Sequence, residues 1–384
     1  MGNRSALDRR RFLVVLGGAT AYAALRPHAA WAKKLERPAV HLQTWSLPGE
    51  APGQPTELAS ALVAAAVMAP SHWNTQPWRM VVESGAIELH ADDSRALPAC
   101  DPGQVSLTMS LGCALENLLI AARAYGLQSK VDYYPNGDGK NPVARVTWTN
   151  GGQRRDRQLF TAIPERRTNR REFDGRGIFM QNRAALIAQI PAELRLYWID
   201  GESSIHGVAD LAYEATHAQV LDPRMQAERR AWMRFSESES ERRGDGVSVD
   251  ALELGGPAKW LARRYSNPDS WFIGQGAGSA AKQTREAMRS AGALALLAAP
   301  RRGPSVWLAA GQAYERFALK ASLLGIAHQP VQAPIEVERF RGELRRQFGA
   351  AGDEPLLLVR LGHAKRPKPE VRRAVAVVAS FRSA

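Results

Sequence analysis

Two apolar segments recur at a fixed distance along this chain and restrict the folds open to it. Residues 112–127 and 311–326 align at a constant offset of 199 positions, with two glycines, two alanines and one glutamate identical. Each segment has apolar residues on more than one side and ends at a glycine, which indicates a buried helix. Similar composition by chance is the alternative, since Ala and Leu are common in helices. The pattern favours a chain built from two related halves.

The segments around these two helices predict an α+β fold. The first helix is followed by predicted strands over 130–134 and 144–148. The second helix lies between predicted strands over 293–298 and 356–361, with a further helix over 335–347. Each half therefore combines a buried helix with strands.

Residues 205–280 interrupt the second half as a predicted insertion. Two amphipathic helical stretches precede a Ser-, Glu-, Arg- and Gly-rich run over 237–250 and a Gly/Ser-rich patch over 274–279. Long insertions are either functional or unstructured. Two interpretations stay open, a lid that folds over the core and a flexible surface loop.

Residues 69–79, Ala-Pro-Ser-His-Trp-Asn-Thr-Gln-Pro-Trp-Arg, predict a ligand-binding loop. They follow a predicted helix over 59–68, which Pro70 ends, and precede a predicted strand over 80–83. Hydroxyl and amide side chains between two indoles suit a flat, heteroatom-rich ligand, because amides pair with its edge while Trp and Pro exclude water from its face. A plain helix-to-strand turn with buried aromatics is the alternative.

Residues 165–171, Glu-Arg-Arg-Thr-Asn-Arg-Arg, predict an anion site. Guanidinium groups match phosphate oxygens, and Thr168 adds a neutral donor. A solvated basic turn is the alternative, since charged clusters usually lie on the surface. Further along, the extended Pro-Lys-Pro run at 367–369 is expected to bring Arg372 and Arg373 back over the core.

These motifs together resemble the nitroreductase superfamily of FMN-dependent flavoproteins. Residues 69–79 are similar to the family's loop beside the FMN ring, and Arg-Arg-Thr-Asn-Arg with Phe-Asp-Gly at 173–175 resembles the phosphate loop of the Acg-like branch. In dimeric members the two loops come from different subunits, whereas each half of this chain holds one of them. The resemblance implies a three-layer, nitroreductase-like α+β fold. Its two tandem halves, 58–150 and 158–380, would form an intramolecular pseudo-dimer, a monomer with a single FMN.

The resemblance also assigns residues to the two ends of this cofactor. The phosphate and ribityl end is implied to be bound by Arg166, Arg167, Thr168 and Arg170, with Arg372 or Arg373 beside them. The ring is implied to lie near Ser71, Asn74, Gln76 and the backbone around Pro330, Val331 and Gln332. No catalytic side chain is expected, because the flavin N5 itself accepts and donates hydride.

Residues 1–32 resemble a twin-arginine export signal. Three arginines at 9–11 precede an uncharged run over 12–25, and Ala-Trp-Ala at 30–32 offers a cleavage position. We therefore expect export of the folded protein by the twin-arginine machinery to the periplasm. An ordinary basic signal or an uncleaved membrane anchor is the alternative.

Composition excludes several other classes of function. The 384 residues carry a formal net charge of +13, but the basic residues are scattered, which argues against a nucleic-acid partner. No Cys/His spacing predicts a metal site, and P-loop, G-x-S-x-G and strand-linked G-x-G-x-x-G motifs are missing from the sequence. Cys100 and Cys113 are either a disulfide or buried thiols.

Three functions fit these observations. The first is an FMN-dependent oxidoreductase that reduces a small electrophile, a nitro compound or quinone. Its electron donor stays open, because nicotinamide donors are cytoplasmic. The second is a protein that sequesters FMN or senses redox state beneath a lid, without turnover. The third is a flavin-free binding protein, which would purify without a yellow colour.

Overall fold

The computed structural model describes residues 45–252 and 276–382. The export signal predicted over 1–32 lies outside the described residues, as do 253–275 of the predicted insertion. Elements are numbered below in chain order within the described ranges.

The first half contains one short and one long buried helix and two β-hairpin pairs. Its elements are α1 (Pro55–Val67), β1 (Trp78–Glu83), β2 (Ala86–Ala91), α2 (Val105–Ala124), β3 (Leu127–Tyr133) and β4 (Ala144–Asn150). Helix α1 ends before Pro70, as predicted, because a proline disfavours helical backbone at the preceding residue. All of the strands predicted here are found, and each is longer than predicted.

The second half begins with short helices and then carries the predicted insertion. These elements are α3 (Arg157–Ala162), α4 (Met180–Ile187), β5 (Arg195–Ile199), α5 (Glu202–Leu221), α6 (Pro223–Trp232), β6 (Met233–Arg234), α7 (Glu237–Arg243), β7 (Val247–Ser248) and α8 (Ala277–Arg289). Helix α7 lies in a run that the sequence did not predict to be helical. The Ser236 hydroxyl starts it by accepting a hydrogen bond from the Glu239 amide, a standard helix N-cap.

The remaining elements complete the second sheet. They are β8 (Ala293–Ala299), α9 (Pro304–Leu323), β9 (Ala327–Pro330), α10 (Ala333–Glu336), α11 (Glu338–Phe348), β10 (Glu354–Gly362), α12 (Val375–Val378) and β11 (Ala379–Phe381). The single helix predicted over 335–347 is wrong in one respect. Extended backbone at Val337 (φ −90°, ψ 99°) divides it into α10 and α11.

The four strands of each half lie in the same order in its sheet, namely the first, second, fourth and third strand along the chain. Among the described residues, one sheet has the order β11-β1-β2-β4-β3 and the other has the order β5-β8-β10-β9. The four strands that each half contributes to its own sheet are antiparallel to their neighbours. Strand β11 crosses from the end of the chain to pair with β1 in parallel, joining the C-terminus to the first sheet. The observed architecture is α+β, as predicted.

Strand β8 is buried on both faces and separates two apolar clusters. Ala293, Ala295 and Leu297 pack in the cluster that contains the central helices and the first sheet. Leu294 and Leu296 pack on the opposite face, in the cluster with α5, α8 and α11. Because successive side chains of a strand point to opposite faces, one apolar run supplies both layers.

Helices α2 and α9 cross where the two repeated glycines meet. A Cβ on Gly112 would overlap the Leu308 carbonyl oxygen and come 2.9 Å from the Cα of Gly311. A Cβ on Gly311 would overlap the Met109 carbonyl oxygen. Leu308 follows Met109 by the same 199 positions that separate the glycines, so the two contacts are reciprocal. Glycine is required on both helices because only it allows this approach.

Helix α2 is long and apolar enough to cross a membrane by length and composition, but it is mostly buried inside the protein. Its apolar surface is therefore accounted for by packing against α1 and α9. Both repeat helices end at glycines with left-handed backbone, Gly126 (φ 76°) and Gly325 (φ 69°), as the sequence predicted.

Candidate functional site

Segments from both halves and from the insertion line one cavity of about 300 Å³. The first half contributes residues 70–73 and one side of α2. The second half contributes Thr168, Arg170 and the turn at 330–333, and the insertion contributes side chains of α5, α6 and α8. This volume falls at the lower end of the range for small-molecule sites. The three segments singled out in the sequence therefore meet at one place.

The loop between α1 and β1 has unusual backbone geometry. Trp73, Asn74 and Gln76 adopt left-handed backbone, with φ of 49°, 52° and 51°. Such conformations are uncommon for residues other than glycine and cluster at functional sites. The Ser71 hydroxyl stabilises the turn by accepting a hydrogen bond from the main-chain amide of Gln76 at 2.9 Å. Ser71, His72 and Trp73 line the cavity.

Asn74 and Gln76 are buried but do not line the cavity. The Asn74 amide donates to the carbonyl oxygens of Gly246 (2.9 Å) and Val371 (3.2 Å). The Gln76 amide donates to the carbonyl oxygen of Gly244 at 2.8 Å. Both side chains therefore fasten the insertion and the C-terminal segment to the loop. We predicted that both side chains contact a ligand ring. In the structure their amide groups donate to protein carbonyl oxygens, and neither side chain lines the cavity.

The C-terminal arginines return over the core, as the sequence predicted. Arg372 is buried and donates to the Asn74 side-chain oxygen at 3.0 Å. The main-chain amide of Arg373 donates to the Gln76 side-chain oxygen at 2.8 Å, and its guanidinium donates to the Gln76 carbonyl oxygen at 3.1 Å. Guanidinium groups from the end of the chain thus meet amides from the first half directly, behind the cavity wall.

The four predicted phosphate-binding residues divide into two groups. Thr168 and Arg170 line the cavity, whereas Arg166 and Arg167 do not. Arg170 forms an ion pair with Glu370. The guanidinium of Arg167 lies 4.1 Å from the ring centroid of Trp45, and burial lowers its pKa to about 9. Of these four side chains, only Thr168 and Arg170 therefore face the cavity.

Arg166 forms a buried ion pair with Glu315, the glutamate of the second repeat helix. Its Nε lies 3.7 Å from a Glu315 carboxylate oxygen, and the guanidinium donates to the Met68 carbonyl oxygen at 3.4 Å. Burial raises the pKa of Glu315 to about 7 although Arg166 opposes this shift. The Nε and Nη1 atoms of Arg166 are buried without a hydrogen-bond partner among the described residues.

Arg360 positions the basic loop and was not predicted. It is fully buried in β10 and donates to the carbonyl oxygens of Asn169 (3.1 Å) and Arg171 (2.6 Å). It also donates to the Gln329 side chain at 2.6 Å. An arginine inside the apolar run 356–361 was the available signal, because a charge in a buried strand requires fixed partners.

His72 and Glu336 form a second unpredicted pair on the cavity wall. The His72 Nε2 lies 3.0 Å from a Glu336 carboxylate oxygen, and Gln219 of the insertion donates to the other oxygen. Burial opposes the charge of His72, but Glu336, with Asp101 and Glu228, outweighs burial and raises its pKa. The sequence offered only a histidine inside a recognised loop, because Glu336 lies far along the chain.

The predicted ring-side turn and the two cysteines also have defined places. Pro330 and Val331 line the cavity. Cys100 and Cys113 are buried free thiols, and the Cys113 thiol donates to the Gly311 carbonyl oxygen at 3.2 Å. The structure therefore supports the buried-thiol alternative. Over the described ranges, no group of three or more His, Cys, Asp or Glu side chains is placed to hold a metal ion.

Comparison with known proteins gives relatives along most of the chain. No protein-family model matches. The chain is 28% identical over 326 residues to the Mycobacterium tuberculosis H37Rv protein named Putative NAD(P)H nitroreductase Rv3131, covering 80% of this chain and 86% of that one. It is 29% identical over 94 residues to that organism's Putative NAD(P)H nitroreductase acg, covering 24% and 28% respectively. The FMN-dependent nitroreductase NfnB of Mycobacterium smegmatis, a solved structure, aligns at 16% identity with a TM-score of 0.35, covering 58% of this chain and 91% of that chain.

The similarity to the first of these proteins covers most of the chain, whereas the similarity to the second covers about a quarter of it. The chain is therefore homologous to mycobacterial proteins named as putative NAD(P)H nitroreductases, Acg among them.

Proposed function

We propose that this chain is an FMN-binding oxidoreductase that reduces a small electrophile, a nitro compound or a quinone. The observation that carries the proposal is the meeting of residues 70–73, Thr168 with Arg170, and Pro330 with Val331 around one cavity. The names of the mycobacterial relatives point to the same activity. A plain helix-to-strand turn with buried aromatics would not require these three segments to meet.

The residues around the cavity fit a flavin mononucleotide. Thr168 and Arg170 supply a hydroxyl and a guanidinium suited to a phosphate. Pro330 and Val331 supply an apolar border, and the Ser71 hydroxyl lies on the opposite loop.

When bound, the flavin supplies hydride transfer at its N5. The residues of the chain bind it, orient it and exclude water. Arg170 and Arg360, both on the cavity wall, favour a negatively charged ligand over a neutral one. Asn74, Gln76, Arg372 and Arg373 act by holding the loop, the insertion and the C-terminal segment together. Arg166 and Arg167 stabilise the segment that presents Thr168 and Arg170.

The proposal includes a tandem duplication, with halves over 58–150 and 158–380. It is supported by the identical strand order of the two sheets and by the reciprocal contacts at Gly112 and Gly311. It also includes export through the twin-arginine pathway, which rests on the sequence of residues 1–32. An exported reductase requires an electron donor other than cytoplasmic NAD(P)H.

A second candidate function is storage of FMN, or redox sensing, without turnover. The observation in its favour is that α5, α6 and α8 contribute Thr216, Gln219, Arg229 and Gln283 to the cavity wall. Thr216, Gln219 and Arg229 belong to the predicted lid over 205–280, and Gln283 follows it. A lid that stays closed would keep an electron donor away from the flavin.

Anaerobic reduction of the purified full chain separates the two candidates. Bleaching of the yellow flavin band by NADH or NADPH, followed by reoxidation with nitrobenzene or a quinone, supports turnover. A flavin that only dithionite reduces supports storage. A protein that purifies colourless and does not bind added FMN contradicts both.

The phosphate assignment has its own test. Arg170→Met should weaken FMN binding roughly tenfold or more, because a hydrogen bond to a charged group contributes about 1.5–3 kcal/mol. Arg171→Met is the matched control, since Arg171 is the exposed next residue of the same loop. Equal FMN affinity in the two variants would contradict the assignment.

A further inference from the structure

Three side chains that carry N–H donors lie on one part of the cavity wall, those of His72, Trp73 and Arg229. The Nδ1 of His72 and the Nε1 of Trp73 are buried without hydrogen-bond partners among the described residues. The guanidinium of Arg229 lies 5.9 Å from the ring centroid of Trp73 and forms no ion pair with a described residue. Such groups are costly to bury unless a ligand completes them.

The geometry of the three side chains suits a flat ligand that carries a negative charge. The His72 and Trp73 rings are nearly parallel, with centroids 6.0 Å apart and an interplanar angle of 22°. Left-handed backbone at Trp73 fixes its indole on the wall. Aromatic faces accept a ring by stacking, and indole is a donor only, so it favours an acceptor oxygen.

Charge around the cavity favours an anion. Its charged lining side chains are Arg170, Arg229, Arg360 and Glu336, besides His72. The Glu336 carboxylate already contacts His72 and accepts a hydrogen bond from Gln219, so its negative charge is paired with His72. The titratable groups that act on His72 are Glu336, Asp101 and Glu228, and together they favour its charged form. An imidazolium bound to Glu336 through Nε2 has one further N–H to donate, at Nδ1.

We infer that His72, Trp73 and Arg229 form a subsite for the carboxylate of an aromatic acid, so that the electrophile reduced by this protein is an anionic nitroaromatic. The inference rests on the proposed function for the reaction, but the subsite is measurable as binding. Arg229 belongs to the insertion, whereas His72 and Trp73 belong to the first half, so this recognition requires both segments. The carboxylate oxygens would accept hydrogen bonds from the two buried donors, His72 Nδ1 and Trp73 Nε1, and would face the Arg229 guanidinium.

Isothermal titration of the full chain, as purified, with para-nitrobenzoate and with the neutral para-nitrobenzamide tests the subsite. The wild-type protein should bind the acid at least about tenfold more tightly than the amide, the size expected for charged hydrogen bonds. Arg229→Met should abolish this preference and leave amide binding within about twofold. Arg230→Met is the control, because Arg230 is the exposed next residue of α6.

His72→Gln gives a second readout that does not depend on Arg229. Acid binding to the wild-type protein should weaken as pH rises through the raised pKa of His72, and this dependence should disappear in the variant. Equal binding of acid and amide, no binding of the acid, or an equal effect of Arg229→Met and Arg230→Met would overturn the inference. A loss of bound FMN in Arg229→Met with the acid preference intact would overturn it too, because Arg229 would then contact the cofactor phosphate. A colourless protein that keeps the acid preference contradicts only the proposed function.

Discussion

At the scale of residues, buried charges distinguish this site from an ordinary core. Arg166 and Glu315 form a pair with almost no solvent exposure, and His328 lies nearby, bonded to the Tyr314 hydroxyl at 3.3 Å. Burial, helped by the charge of Arg166, lowers the pKa of His328 to about 3. A buried ion pair is costly to desolvate and is worth little for stability alone. Its retention here is explained by its position, directly behind Thr168 and Arg170.

The Glu315 carboxyl should make stability depend on pH. Its pKa is about 7 in the folded protein against an ordinary value of 4.5, so the folded state binds more protons between these values. The contribution of Glu315 to the free energy of unfolding should therefore be largest below about pH 4.5 and be lost as pH rises to about 7. Denaturant titrations across this pH range measure this contribution as the difference in the free energy of unfolding between wild type and Glu315→Gln. That difference should shrink as pH rises.

His328→Gln provides the opposite control for that measurement. The pKa of His328 is lowered from 6.5 to about 3, so its contribution is present above about pH 6.5 and is lost as pH falls. The difference between wild type and this variant should therefore grow with rising pH. Parallel behaviour of the two variants would contradict the assigned protonation states.

The Asn74 amide should contribute to stability through the segments it joins. Asn74→Ala leaves buried carbonyl groups and Arg372 without their partners, and should lower the free energy of unfolding by roughly 2–3 kcal/mol. The control is Asn136→Ala, an exposed amide in a turn that donates to the Asn141 carbonyl oxygen at 2.9 Å. Its loss should be well under that of Asn74→Ala in urea denaturation. Equal losses would show that Asn74 does not have this joining role.

At the scale of elements, the crossing of α2 and α9 determines where the cavity walls lie. Helix α2 contributes Met109 and Cys113 to the cavity, and α9 contributes Tyr314. The two helices are also joined by an ion pair, because Arg316 of α9 lies 3.0 Å from the carboxylate of Glu116 in α2. Arg316 lies 3.0 Å from the Asp156 carboxylate as well. The close glycine contact therefore positions elements that meet at the site.

Replacing Gly112 with alanine should force the two helices apart. The added methyl group would overlap main-chain atoms that cannot move independently, so Gly112→Ala should destabilise the protein by roughly 1–3 kcal/mol, as overpacking does. Gly342→Ala is the control, because a Cβ at that position in α11 meets no atom within 4 Å. That change should stabilise by about 0.5–1 kcal/mol, through helix propensity. Thermal unfolding compares them, and a neutral Gly112→Ala would disprove the close contact.

At the scale of the whole molecule, one chain holds the segments that the proposed site requires. Strand β11 pairs with β1, and Arg372 with Asn74, so the end of the chain is joined to its first half. These contacts occur within a single polypeptide.

We therefore expect a monomer that binds one FMN. Light scattering coupled to size exclusion should give the mass of a single chain without its signal, below the 42.0 kDa of the full sequence. Native mass spectrometry should show one FMN per chain. A stable dimer in which FMN is lost on dilution to monomer would contradict the intramolecular arrangement. The measurement is independent of any catalytic assay.

The sequence by itself determined the elements and the segments that form the site. Apolar periodicity, helix-ending glycines and prolines act locally, so they predicted β8 and β10 to within two residues of their observed bounds. They also predicted α2 and α9, but each helix begins seven residues before its predicted start. The loop at 69–79 and the basic segment at 165–171 were found by their composition. The division of α10 from α11 was missed, because nothing in the residues around Val337 signals a break.

Only the tertiary structure decided which side chains face the cavity. Thr168 and Arg170 line it, while Arg166 pairs with Glu315 and Asn74 binds Arg372, although all four belong to recognised motifs or repeats. The pairing of His72 with Glu336 was likewise not predictable, since residues far apart in the chain meet only through packing. Local sequence sets backbone preferences over a few residues. Burial, ion pairing and protonation depend on neighbours that the complete fold brings together.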